Sequence, residues 1–471
     1  MTLEHTERFP WMQFIRSVAT IAVPVALQNL LTTTGSMVDT LMISSLGQTS
    51  VGAIGLCAQF SSLFFSGYWG FVGGGMLFFS QYWGNKDHDG ITRSYGITMS
   101  FLLAVGLLFG FVATLKPDFI MHLYTDKEDI QKIGIEYLQI VGLSYPIQVV
   151  AGAMSALLRS TERVRVPLIG SAAALVTNVT FNALLIHGHF GFPALCVRGA
   201  AIATVMASIV NVLTIVIVAK VKKYPYLLEF RRHFRWTKAA VREYLRKCFP
   251  IICNELLIGV GLMCVNMVLG RQSENAIAAT AVFRTLEGFV IGFFTGFSIA
   301  ASVLVGKSVG AGELKAAYER AKRLVLLCGS CILCVCLLLV ASRHLIINAM
   351  HLYGEAHDIC ANMLLIYCAA AVIRMCNWTQ NDTFRSAGDA TFGTLLEITF
   401  MFVMVVPCVY VSGMVLKLPY LLVFACCYID EPIRVCLMLH HLRSGKWIRP
   451  VTPEGREALP KFMQELHEKK A

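Results

Sequence analysis

One aspartate, Asp39, stands in the otherwise apolar and small-residue stretch Gly35-Ser36-Met37-Val38-Asp39-Thr40. A carboxylate in such surroundings is costly unless paired, hydrated or protonated, which makes it a functional candidate by default. Asn178 and Asn182 are spaced i and i+4, so a helix through them turns both amides to one face. Thr204 adds a hydroxyl in the next apolar stretch. A carboxylate, two amide carbonyls and a hydroxyl form an all-oxygen set that suits Na⁺. The same set can hydrogen-bond a protonated aspartic acid. The bland alternatives are hydration of Asp39 near a surface and ordinary helix–helix hydrogen bonding by the two amides.

The second half of the chain carries a different chemistry. Glu255 has no adjacent residue on its own helix that offers a cation, which singles it out as titratable. Arg284 and Glu287, at i and i+3, can pair on one helix face. Arg374, Glu397 and the trio Asp430, Glu431 and Arg434 complete the set. A proton or substrate site built on Glu255, Arg284, Glu287 and Arg374 competes here with a structural ion-pair network, because the opposite charges can neutralise one another.

Other reactive residues fit no catalytic or metal pattern. The sixteen cysteines lie mostly in apolar runs, and the Cys331–Cys334 pair has no second pair at ligand spacing. They read as small packing residues, without disulfides. Gly306-Lys307-Ser308 resembles the end of a phosphate-binding loop, but Ala301 stands where its first glycine belongs. His187-Gly188-His189 reads as a solvated turn. Neither an H-E-x-x-H nor a G-x-S-x-G pattern occurs. No catalytic residue, cofactor or metal is therefore expected, beyond Na⁺ at Asp39, and the chain is not read as an enzyme.

The elements that must position these groups follow from composition. Of 471 residues 56% are hydrophobic and only 15% charged, against about 25% charged in soluble proteins. Apolar runs long enough to cross a bilayer as helices recur twelve times, at about 15–44, 51–82, 92–115, 130–158, 166–186, 197–219, 249–269, 276–305, 321–342, 359–384, 392–416 and 418–441. The expectation is an all-α polytopic membrane protein. Its net charge of +11 does not imply nucleic acid, because Lys and Arg concentrate on alternate loops as the positive-inside rule requires. Nine of the 40 lie in the connector, where Arg231, Arg232, Arg235, Arg242, Arg246 and Lys247 read as a solvated segment facing anionic headgroups. Met1–Trp11 has no signal-peptide pattern, and both termini are placed in the cytoplasm.

The chain is also duplicated. Pro24 recurs as Pro250, 226 residues later, and at the same offset Gly35 recurs as Gly261, Gly70 as Gly296, Gly84 as Gly310, and Arg159-Ser160 as Arg385-Ser386. Six helices per copy, an even number, put both copies in the membrane the same way up, as two parallel six-helix repeats. The expected organisation is an N-lobe at 1–220, a basic connector at 221–248, a C-lobe at 249–443 and a tail at 444–471, with Trp447 at the membrane interface. Pro24 and Pro250, matched in both copies, read as hinges. The acids are not matched: Asp39 corresponds to Val265, and Glu255 to Asn29.

The ordered set Val38-Asp39-Thr40, Gln81-Tyr82-Trp83-Gly84-Asn85, Asn178-Val179-Thr180-Phe181-Asn182, Val305-Gly306-Lys307-Ser308-Val309-Gly310 and Phe384-Arg385-Ser386-Ala387-Gly388-Asp389 resembles the multidrug and toxic compound extrusion (MATE) family, over nearly the whole chain. The resemblance implies a two-lobed, twelve-helix exporter that exchanges H⁺ or Na⁺ for an organic, often cationic substrate. It places Asp39 at the centre of an N-lobe cation site with Asn178 and Thr204. Where the family often has an aspartate one turn beyond Asn178, this chain has Asn182, which removes a negative charge. Glu255 resembles the seventh-helix glutamate of NorM-like members, and Arg374 stands near the place of their tenth-helix aspartate. A small organic substrate and the lipid bilayer are the expected partners, of a monomer in the inner (plasma) membrane. A lipid-linked-sugar flippase of the same superfamily is the alternative, and a membrane-embedded enzyme the more distant one.

Overall fold

The computed structural model describes residues 10–188, 191–234, 236–350 and 352–468. The N-terminal segment Met1–Phe9, His189 of the expected turn, Arg235 of the connector and the side chain of Arg231 lie outside the described residues. The regular structure among them is helical. In chain order the helices of the first half are α1 (Trp11–Ser44), α2 (Gln48–Gly84), α3 (His88–Leu115), α4 (Pro117–Tyr124), α5 (Glu128–Val141), α6 (Ser144–Ser160), α7 (Arg165–His187) and α8 (Cys196–Val221). Two short helices, α9 (Pro225–Leu228) and α10 (Phe230–His233), follow in the connector. The second half contains α11 (Lys238–Leu269), α12 (Glu274–Gly310), α13 (Leu314–Ala349) and α14 (Glu355–Ser386). It continues through α15 (Ala390–Phe400), α16 (Val406–Tyr410), α17 (Tyr420–Cys426), α18 (Glu431–Ser444) and a tail helix, α19 (Pro453–Glu468).

Ten spans among the described residues are continuous helices long and apolar enough to cross a membrane. The fourth and twelfth complete the two six-helix lobes but are broken. Helices α5 and α6 meet at 48°, because Pro146 has no N–H for the Gly142 carbonyl and its ring crowds that turn. The twelfth is interrupted over 427–430 and restarts at Glu431-Pro432. The eleventh runs Ala390–Val415 with π-helical turns at Met401–Val405 and Val411–Val415 on either side of Pro407. Side chains start helices where the chain re-enters: Asp87 accepts from Gly90 N–H at 2.8 Å to open α3, and Ser273 caps α12.

Three expectations are corrected. Pro250 does not start the seventh span, because Thr237 caps that helix and it begins at Lys238, leaving Pro250 inside it as Pro24 is inside α1. Each proline leaves the carbonyl four residues earlier, Thr20 or Arg246, without its helical donor. Nor is the connector a solvated strand of chain. Tyr226, Leu227 and His233 are buried beneath α3, where the Tyr95 ring meets His233 edge-on at 4.9 Å. Gly96 permits this, since a Cβ there would collide with the His233 carbonyl. Arg163 stacks over Tyr224 at 3.6 Å. Trp447 is likewise no interface anchor: it is fully buried, donates to the Leu442 carbonyl at 2.9 Å and packs on Phe384.

The docked connector yields a pH prediction. Burial pushes the His233 pKa below its ordinary value, while its ring hydrogen-bonds the Tyr226 carbonyl at 2.9 Å. A depressed histidine pKa means that the folded state binds fewer protons than the unfolded one. Its contribution is therefore present above the unfolded value of about 6.5 and is lost as pH falls through the lower folded value. Limited proteolysis between Val221 and Lys238 should accelerate below about pH 6, and His233→Gln should flatten that dependence.

The lobes meet along α1 against α12 and along α2 against α11. Asn29 Nδ2 donates to the Gly292 carbonyl at 3.1 Å, and Thr98 to Tyr244 at 3.0 Å. Contact is closest on the Lys/Arg-rich side, where α2 and α12 cross. A Cβ on Gly84 would run into the Lys307 carbonyl, and one on Gly310 into the Gln81 carbonyl. Gln81 also donates to the Ser386 carbonyl at 2.7 Å and accepts from Val451 N–H at 2.8 Å, which ties the tail to the crossing. Lys307 reaches across to Glu162 at 2.7 Å.

Candidate functional site

The N-lobe lines an open chamber of about 510 Å³. Gly35, one turn before Asp39, lets α1 approach α7: a Cβ there would lie 3.0 Å from Leu175 Cδ1. That approach brings Asp39 to the asparagine face of α7. Asn182 Nδ2 donates to Asp39 Oδ1 at 2.5 Å and to Asn178 Oδ1 at 3.1 Å, so one amide bridges the other two groups. Asn182 Oδ1 is buried with no hydrogen-bond partner. Thr204 lines the same chamber with Asp39 and Asn178, but its hydroxyl donates to the Ala200 carbonyl of its own helix at 3.1 Å. Three of the four expected residues are thus directly bonded, and the fourth is their neighbour across the space. A carboxylate beside an unpartnered amide oxygen can take up a proton or a small hard cation.

At the chamber's other end lies a group that sequence reasoning left among the repeat landmarks. Arg159 is 7% exposed, and its Nη2 donates to Gln28 Oε1 at 2.7 Å. Gln28 Nε2 in turn donates to Ser171 Oγ at 2.9 Å. Among the described residues, Asp39 is the only carboxylate lining the chamber, and Arg159 the only guanidinium.

The C-lobe holds a connected ion network. Glu287 receives Arg284 at 3.0 Å and Arg374 at 3.2 Å, and Arg374 reaches Glu431 at 3.8 Å. Arg434 joins Asp430 at 3.0 Å and Glu397 at 3.6 Å. Asn254 and Asn381 each donate to Glu397 at 3.0 Å. Glu255 does have a cation, supplied by another helix: Arg385 lies 3.3 Å away, and also contacts Asp382 and Glu397. Glu255 was singled out from its own helix alone, and that criterion could not register an arginine from α14. Arg284, Glu287 and Arg374 therefore meet around a cavity of about 230 Å³, and Glu255 stands apart from it.

Glu287 holds two guanidiniums on one nearly buried carboxylate. Removing one side of a buried ion pair leaves a charge uncompensated and typically costs about 3–5 kcal/mol. Glu287→Gln is expected to lose stability in that range in detergent unfolding. Glu287→Gln combined with Arg374→Met should lose less than the sum of the single changes.

Sequence reasoning also missed Lys307, discounted as a phosphate-loop mimic, and its partner Glu162. These lie far apart in the chain, and only the packing of the turn between α6 and α7 against the end of α12 brings them together.

Comparison with known proteins agrees with the two-lobed helical fold. The MatE family model matches twice, over residues 24–184 and 250–411, so the two matches begin at Pro24 and Pro250. The uncharacterized transporter YisQ of Bacillus subtilis is 24% identical over 419 residues, covering 87% of this chain and 90% of its own length. The probable multidrug resistance protein NorM of Rhizobium meliloti is 26% identical over 309 residues, covering 64% of this chain and 65% of its own. Among solved structures, the Vibrio cholerae MATE transporter VcmN superimposes with a TM-score of 0.83 at 15% identity, over 92% of this chain and 97% of that one. A MOP superfamily transporter from Pyrococcus furiosus gives 0.81 at 17%, over 93% and 99%. Both lobes, entered at their paired prolines, match one family model, and the chain belongs to the MatE family of membrane transporters.

Proposed function

We propose that the protein is a secondary active exporter that exchanges H⁺ or Na⁺ for organic, cationic or amphiphilic compounds, with the N-lobe chamber as the coupling site. The observation that carries this reading is the Asp39–Asn182–Asn178 cluster, whose single carboxylate faces a chamber large enough for an organic molecule. Proton or ion uptake at Asp39 changes the charge of the chamber wall. An organic cation bound nearby loses its electrostatic partner at that moment, which links ion entry to substrate release. Thr204 supplies a hydroxyl across the chamber, and the Asn182 carbonyl a free acceptor. The C-lobe cluster of Arg284, Glu287 and Arg374 is a second protonation or substrate site in this scheme, with Glu255 held apart from it on Arg385.

The Lys/Arg-rich side, with both termini, is assigned to the cytoplasm of the plasma membrane, following the positive-inside rule. Rocking of the lobes about Pro24 and Pro250 would alternate access, in a monomer. Relatives named as multidrug resistance proteins, NorM and YoeA, support the breadth of substrate. The test is flux of a fluorescent organic cation in proteoliposomes, with Na⁺ and H⁺ gradients imposed separately. Acceleration by one gradient is the expected result, and flux indifferent to both overturns the reading.

A further inference from the structure

The internal duplication allows each buried charge to be compared with its counterpart. Arg159 and Arg385 sit at matching positions near the ends of α6 and α14. Arg385 is surrounded by three carboxylates: Glu255 at 3.3 Å, Asp382 at 3.7 Å and Glu397 at 3.9 Å. The corresponding N-lobe residues are Asn29, Ala156 and Ser171. The scaffold between them is kept: Gln28 donates to Ser171 where Asn254 donates to Glu397. Every counterion has gone, and the arginine has stayed.

Arg159 is consequently a buried guanidinium with no carboxylate paired to it among the described residues. Its Nη2 bonds the neutral Gln28, and its Nε is buried without any partner. An uncompensated buried charge is strongly unfavourable, yet this one borders a chamber rather than packed side chains. A planar guanidinium is the group best matched to a carboxylate, through parallel charge-assisted hydrogen bonds. Gln28 and Asp39 are eleven residues apart on α1, so the two charged ends of the chamber are separated by roughly 16 Å along the helix axis.

We propose that Arg159 is a specificity-determining residue which receives the carboxylate of the transported molecule, taking the role that Glu255, Asp382 and Glu397 play toward Arg385. The substrate class is then an elongated zwitterionic amphiphile, with its carboxylate at Arg159 and its cationic end toward Asp39. This rests on the reading of the chamber as the substrate site and sharpens it. A plain organic cation leaves Arg159 unneutralised; a carboxylate-bearing one satisfies both ends.

The experiment measures equilibrium binding to the purified full-length protein, with no gradient present, so that a failure of ion coupling cannot affect it. The probes are a rhodamine bearing a free benzoate and the methyl ester of the same dye, followed by fluorescence polarisation. The wild type should bind the acid roughly tenfold or more tightly than the ester, as expected for one desolvated charge-assisted pair. In Arg159→Gln that preference should vanish, the acid and the ester binding within about twofold of each other. Ser171→Glu places a carboxylate where the C-lobe has Glu397; it should also abolish the preference by neutralising Arg159 internally, and it keeps the test decisive if Arg159→Gln does not fold. A wild type without acid preference, or a preference that survives in either folded variant, overturns the proposal. If gradient-driven flux of the ester persists in that case, the exporter reading stands and only the role of Arg159 falls. Binding of neither dye overturns both.

Discussion

Replacing Asp39 by asparagine is expected to lower gradient-driven flux at least tenfold while leaving the protein folded and able to bind substrate without a gradient. The substitution preserves size and the contact with Asn182, so the α1–α7 approach through Gly35 is undisturbed. What it removes is the charge, and with it the ability to exchange a proton or hold Na⁺. A melting temperature within a few degrees of wild type, together with lost ion dependence, would separate coupling from architecture. Full ion-dependent flux by a folded Asp39→Asn protein would show that the coupling ion is handled elsewhere, with the C-lobe network of Glu255, Glu287 and Glu397 the next place to look.

Valine at Gly84 and Gly310 together is expected to spread the lobes on the Lys/Arg-rich side. At each position a Cβ would meet backbone rather than a movable side chain, namely the carbonyls of Lys307 and Gln81. Overpacking of this kind costs about 1–3 kcal/mol, enough to shift a two-state equilibrium by roughly 5- to 150-fold. Hydrogen exchange over residues 81–86 and 307–312 should accelerate accordingly, and flux should fall because the conformational cycle is biased. Cutting the Lys307–Glu162 ion pair with Glu162→Gln should do much less. Its partners are 40% and 32% exposed, and pairs of that kind contribute about 0–1 kcal/mol. An equal effect from the two changes would mean that the ion pair, not the glycine packing, holds this side closed.

Much of the architecture was legible in the chain itself. Long apolar runs in a membrane have one solution for their backbone polar groups, so span number and helical class follow from composition. The matched Pro, Gly and Arg-Ser landmarks gave the duplication, since backbone geometry restricts which residues can stand at such points. The break of the twelfth span was less legible: Asp430 and Glu431 read as members of a charge cluster on one helix, although Pro432 lacks the donor that would continue it. The start of α11 was misplaced because Lys238–Lys247 is polar enough to look like a connector, although its own N-cap and contacts hold it helical. Trp447 looked interfacial by type, but its indole found a partner in the Leu442 carbonyl instead.

The sequence by itself determined which chemical groups the two lobes hold: one aspartate with two amides and a hydroxyl in the first, a rich set of opposite charges in the second. Helical spacing also settled pairs on a single helix, such as Asn178 with Asn182 and Arg284 with Glu287, because i+3 and i+4 neighbours share a face. Only the tertiary structure decided partnerships between helices. Asn182 was matched to Asp39 across 143 residues, Glu255 was given Arg385, and Arg159 was left with no carboxylate among the described residues. Electrostatic partnership depends on distance in space, to within a few ångströms and with water excluded. The linear order of residues carries that information only where one helix supplies both partners.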